Sequence, residues 1–138
     1  MRIKVAIVLF LVAFGIPPLF GQEVNVKKDG IYLDDSIYLK YEKLTLAEYS
    51  IKNLVGEEVL LFQIKQDPTT DKTFLSFYFV KENVKLESSN VGRVSGLGYK
   101  SMLEKLITWL LKDKVITTDG NLDPASLQMF VNKYNDRS

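Results

Sequence analysis

The sequence predicts an α+β fold: an antiparallel β-meander of about five to seven strands with two C-terminal helices packed on one face. Three observations carry this. Residues 22–87 alternate short apolar runs with turn residues, residues 88–98 form a loop rich in Gly and Ser, and residues 99–138 change to the apolar spacing of helices. Residues 22–138 therefore read as a single domain, long enough to bury a sizeable core.

In residues 23–28, Val24 and Val26 alternate with polar neighbours, and Asp29-Gly30 supplies the positive-φ pair that a tight hairpin needs before a strand at 31–33. Asp34-Asp35-Ser36 is a second turn. The triplet Ile31-Tyr32-Leu33 recurs as Ile37-Tyr38-Leu39 and extends through Tyr41, with Ile37, Leu39 and Tyr41 on one face. Such recurrence marks a meander, not a long-period repeat. A further strand is expected at 46–52, and Val55-Gly56-Glu57-Glu58 turns the chain into the apolar run 59–64. Asp67-Pro68-Thr69-Thr70-Asp71 is a loop by composition. The run 73–80 is apolar on both alternating faces, as for a central strand covered on both sides, and the C-terminal helices are the available cover.

Residues 99–114 place Met102, Leu103, Leu106, Ile107, Leu110 and Leu111 in one stripe, with Trp109 at its edge and charges opposite. A second helix starts at Asp123, which caps it, with Pro124 at the first helical position and Leu122 set to staple against Leu127. Leu127, Phe130, Val131 and Tyr134 then face inward. Ordinary core accounts for both stripes better than a partner-helix or membrane-binding face. Between the helices, residues 115–117 either add a short strand or cross over the sheet.

Ahead of this domain, residues 1–21 read as a signal peptide: Arg2 and Lys4, an apolar run from Val5 to Gly15, then Pro17-Pro18 shortly before Gly21. The apolar run is too short to span a bilayer comfortably, so no integral membrane span is expected after cleavage. Ala13-Phe14-Gly15 also fits the small-x-small cleavage pattern, but the later site, leaving Gln22 first, places the helix-breaking prolines upstream of the cut. An uncleaved anchor is the competing reading. No Cys follows the run, which excludes lipoprotein attachment. The closing Phe20-Gly21-Gln22 resembles leaders of exported proteins in some Gram-negative bacteria, which implies a periplasmic, cell-surface or secreted destination.

Loss of Arg2 and Lys4 with the leader leaves 16 basic against 17 acidic side chains. A nearly neutral surface has no field to concentrate polyanions, so nucleic acid and anionic lipid are poor partners. With no Cys there is no disulfide, and an exported domain must rely on packing alone. The absence of His and Cys also removes Ser-His-Asp and Cys-His nucleophiles and the usual zinc sites. No cofactor or metal is expected.

Several fragments approach chemistry. The segment Gly92-Arg93-Val94-Ser95-Gly96-Leu97-Gly98-Tyr99-Lys100-Ser101 precedes a helix and ends in Lys-Ser, but Tyr99 stands where a phosphate-binding loop needs Gly before Lys. Free amides at the helix start, with Arg93, Tyr99 and Lys100, remain a candidate site for an anion or other ligand, against a simple connector. Asp119-Gly120-Asn121-Leu122-Asp123 opens like a calcium loop, yet its sixth position is Pro124 and its twelfth Phe130, so a turn and helix cap explain it. Asp34-Asp35 and Glu57-Glu58 are adjacent carboxylates, but neighbours in a strand point to opposite faces, and a solvated turn accounts for both. Nothing sets Ser95 or Ser101 beside a desolvated Lys.

Tyr32 and Tyr38 form a candidate cross-strand pair on the face opposite Ile37, Leu39 and Tyr41. Exposed, they would bind sugar rings or peptide; otherwise they stabilise the sheet by aromatic pairing. The function expected is that of a small exported, non-catalytic binding or interaction module of the bacterial cell envelope, acting on a protein, peptide or glycan partner through the open sheet face or the helix-start loop. The alternative is a His-free carboxylate-dependent hydrolase or transferase. A cleft with two acids from separate segments, one strongly desolvated, favours the alternative; an aromatic-lined groove without converging acids favours binding.

Overall fold

The computed structural model describes residues 23–137, so the expected leader lies outside the described residues. Seven strands follow one another: β1 (Val24–Lys27), β2 (Gly30–Leu33), β3 (Ser36–Thr45), β4 (Glu48–Lys52), β5 (Glu58–Gln66), β6 (Thr73–Phe79) and β7 (Val84–Ser88). They form one sheet in sequence order, each neighbouring pair antiparallel. Two helices, α1 (Tyr99–Lys112) and α2 (Pro124–Tyr134), complete the α+β architecture expected from the sequence. No helix among the described residues is long and apolar enough to cross a membrane.

Register puts the core on one face. Leu60 lies opposite Phe79 and Phe62 opposite Phe77, while Phe77 faces Leu86 across the next ladder. Against this face α1 lays Leu103, Leu106, Ile107 and Leu110, all buried. Phe77 is the hub, met edge-on by Phe62 at 5.2 Å and by Trp109 and Phe130 at 5.6 Å between ring centroids. Trp109, at the edge of its stripe, is only 4% exposed because α2 brings Phe130 and Tyr134 against it. The cap of α2 forms as its sequence requires: the Asp123 carboxylate accepts the Ser126 amide at 3.0 Å, with Pro124 following. Residues 115–117 contribute one isolated bridge, Ile116 to Leu122, and no strand.

Four details depart from expectation. The first hairpin turns at Lys28-Asp29, since Lys27 pairs with Gly30, and Gly30 itself begins β2. Its lack of a side chain serves close approach: a Cβ there would lie 3.0 Å from Ile37 Cδ1 and 3.1 Å from the Leu39 carbonyl. The positive-φ pair belongs instead to the second turn, Asp34 at 51° and Asp35 at 70°. Strand β7 carries only short apolar alternation and is not evident from the sequence.

The third departure is a β-bulge. Ile31 pairs with Leu39 but Tyr32 pairs with Ile37, which leaves Tyr38 as the extra residue. Tyr38 and Leu39 are consequently both buried, and Ile37 turns to the exposed side. Fourth, the helices cover one face of β6 only. On the other, Phe74 is buried beneath Arg137, whose guanidinium lies 3.8 Å from the ring centroid and pairs with Asp67 at 2.7 Å.

Both terminal edges of the sheet are occupied. Glu104 of α1 accepts the Val26 amide of β1 at 2.9 Å. Along β7, Asn135 accepts the Glu87 amide at 2.9 Å, the Asp136 amide donates to the Glu87 carbonyl at 3.1 Å, and the Asp136 carboxylate accepts the Ser89 amide at 2.9 Å.

Candidate functional site: a groove beside the helix-start loop

The loop that joins β7 to α1 does not close onto the sheet. It descends through a 3₁₀ turn at Val91–Arg93, buries Val94, and runs through Gly96, Leu97 and Gly98 into α1. Gly96 has no room for a side chain, since a Cβ would come within 2.9 Å of Ser101 Cβ. Gly98 holds φ 96°, a value that favours glycine, and no side chain caps the helix behind it. An open groove of about 690 Å³ remains between this loop and the sheet. Leu46, Ile64, Leu75 and Met102 supply apolar walls, and Tyr49 and Tyr99 a stacked aromatic pair at 6.2 Å.

Leu46 is 84% exposed at one rim, and Leu97, next to the lining glycines, is fully exposed. Lone exposed leucines are ordinary; two flanking an apolar groove are a surface suited to contact. Lys43 is the groove's cation. Its ammonium sits 4.5 Å from the Tyr99 ring centroid, beside the uncapped first turn of α1, and it forms no salt bridge among the described residues. No carboxylate lines this groove among the described residues.

Behind Tyr99, the Tyr41 hydroxyl donates to the Lys27 carbonyl at 2.8 Å and lies 3.5 Å from the Tyr99 hydroxyl. Burial first, and then the Tyr99 hydroxyl, pushes the Tyr41 phenol far above the ordinary tyrosine range. Burial likewise raises Tyr49. Both phenols stay protonated at neutral pH, as hydrogen-bonding groups and not as bases.

Of the anion-binding trio, only Tyr99 belongs to this groove. Arg93 stacks over Trp109 at 5.1 Å and Tyr134 at 5.0 Å and opens to a separate cleft of about 600 Å³, while Lys100 is exposed and lines neither. Arg93 ends the 3₁₀ turn ahead of the loop and lies over Trp109, whereas Tyr99 begins α1 and stacks on Tyr49 of β4; Lys100, one residue on, is turned away from it by helical phase. The exposed tyrosine pair is also dissolved. Tyr38 is 8% exposed, with its hydroxyl donated to the Thr117 carbonyl; Tyr32 stays half-buried on the sheet, its hydroxyl 2.9 Å from Asp29 and the Lys27 ammonium 4.5 Å from its ring centroid. The bulge separates them. Missing from the sequence reading were Lys43, Leu46 and Tyr49: Lys43 lies past the strand expected to extend through Tyr41, and Leu46 and Tyr49 fall in the strand expected at 46–52, whereas β3 runs on to Thr45 and β4 begins only at Glu48, leaving Leu46 in the turn.

Acidic side chains gather elsewhere. The Arg93 cleft holds Glu23 and Glu104 from separate segments, but Glu23 is exposed and Glu104 is held by the Val26 amide amid Lys105 and Lys112. A second cleft holds Glu57, Glu58 and Glu82. There Glu57 accepts from Asn53 and Glu58 from Ser50, while half-buried Glu82 has one carboxylate oxygen enclosed without a hydrogen-bond partner among the described residues. Asp119 and Asp123, from the calcium-like stretch, serve the turn and the helix cap. Among the described residues no group of three or more acidic side chains is arranged as a metal site. No family model matches the chain, and no curated protein or solved structure matches it either.

Proposed function

We propose that the protein is a small exported binding module of the bacterial cell envelope, without chemistry of its own, that holds an apolar, carboxylate-bearing segment of a peptide or protein partner. One observation carries this reading: among the described residues, the groove beside the helix-start loop combines apolar and aromatic walls with a single ammonium in no salt bridge and no acid. Apolar area supplies affinity there, and the few polar groups fix orientation. Lys43 beside an open helix start favours a carboxylate in the bound segment. In the Arg93 cleft Glu23 is exposed and Glu104 is held by the Val26 amide, and in the other cleft Glu57 and Glu58, which would have to work with Glu82, are held by Asn53 and Ser50.

Selection of random peptides on the immobilised mature chain tests the proposal. Enriched peptides should combine Leu or Phe with Asp or Glu, and binding should vanish in Leu46→Glu while the circular dichroism spectrum stays unchanged. Peptides that bind Leu46→Glu and the parent equally would overturn the groove. Export is checked separately by N-terminal sequencing of the chain from a periplasmic or medium fraction, where Gln22 is the expected first residue.

A further inference from the structure

We propose that the free edge of β3 receives the partner as an added β-strand, and that this strand is acidic. Strand β3 runs from Ser36 to Thr45, yet β2 pairs with it only at Ser36, Ile37 and Leu39. Beyond Tyr41, Glu42, Lys43 and Thr45 pair with β4 on one side, Leu44 being the extra residue of a register shift, and among the described residues no strand pairs on the other. The five residues Tyr41 to Thr45 span about 17 Å, enough for a short strand to add by backbone hydrogen bonds.

This opening contrasts with the rest of the sheet. Glu104 engages β1 and Asn135-Asp136 engage β7, whereas among the described residues no side chain or loop hydrogen-bonds across the outer side of residues 41–44. No proline blunts it, although Lys43 reaches inward to the Tyr99 ring and the ladder with β4 shifts register between Lys43 and Thr45. Glu42, Lys43, Leu44 and Thr45 are all exposed, with Leu44 at 45%.

Charge selects the occupant. Lys40 and Lys43 lie on the edge strand and Lys27 and Lys28 at the adjoining hairpin tip. The two acids nearby are engaged: Glu42 pairs with Lys52 at 3.0 Å, and Asp29 accepts the Tyr32 hydroxyl at 2.9 Å. An acidic strand meets these lysines with opposite charge. Alternate side chains of the added strand fall on the inner side, beside Tyr41 and Lys43 at the groove rim. The inference thus rests on the groove reading and adds its backbone geometry.

The test uses a capped synthetic peptide in which Glu alternates with Val and Phe, together with two versions N-methylated on alternate amides, one version for each backbone edge. Strand addition predicts binding by the parent peptide, weakening of about tenfold or more when one edge is methylated, and little change when the other is. Amide exchange of the protein should slow at alternate residues between Tyr41 and Thr45. Equal binding by both methylated versions would sink strand addition while leaving the groove intact as a side-chain site. No binding of the parent peptide, or sedimentation showing that the chain pairs with itself through this edge, overturns the acidic-strand assignment.

Discussion

Replacing Tyr38 by Phe and, separately, Tyr32 by Phe turns the β-bulge into a measurable difference. In regular pairing the two tyrosines would face each other on the sheet surface, and losing either hydroxyl would have the same small effect. With Tyr38 as the extra residue, its ring is buried beside Leu39 and its hydroxyl donates to the Thr117 carbonyl, tying the sheet to the connection between α1 and α2. Phe keeps the ring and removes the bond. The Thr117 carbonyl keeps the Gly120 amide at 2.9 Å, so the loss is that of a net hydrogen bond, about 1 kcal/mol, without the larger penalty of a stranded buried acceptor. With a urea m-value of about 2 kcal/mol/M, the midpoint falls by about 0.5 M. Tyr32→Phe should leave the midpoint unchanged. Nitration of the folded parent should modify Tyr32 well before Tyr38. Equal shifts in the two variants, or equal nitration of the two rings, would refute the bulge and restore the surface pair.

Gly30→Ala should lower stability by about 1 kcal/mol in the same denaturation experiment, because crowding against the Leu39 carbonyl outweighs the entropy gained in the unfolded chain. A stabilised Gly30→Ala would show that Gly30 has no packing role. The melting temperature should be flat near neutral pH and fall below about pH 4. Asp67 is held below the usual carboxylate range by Arg137, Asp119 by the Thr117 hydroxyl, Asp123 by Ser126 and Asp136 by Ser89. Carboxyls with depressed folded pKa values stabilise fully above their unfolded values and lose that contribution as pH drops toward the folded ones, so a melting temperature unchanged on acidification would contradict these contacts.

The groove was half legible. Tyr99 stood out because a glycine-rich loop led into a strong amphipathic stripe. Lys43, Leu46 and Tyr49 did not, since a lysine just past one expected strand and a leucine and a tyrosine within the next have many ordinary explanations when read along the chain. Arg93, Tyr99 and Lys100 are neighbours in sequence, but side chains on either side of a loop need not share a surface, and these do not.

By itself the sequence determined the class of fold, the order of the meander, both helices and the Asp123 cap. These depend on local periodicity and on turn and capping chemistry, which act over a few residues. The tertiary structure alone decided that Tyr38 turns inward, that both outer edges of the sheet are occupied while β3 keeps an open stretch, and that Lys43 meets Tyr99 across an apolar groove. Register shifts and the juxtaposition of segments far apart in the chain arise from packing the whole core, and a one-residue bulge changes which side chains reach it without altering the apolar pattern.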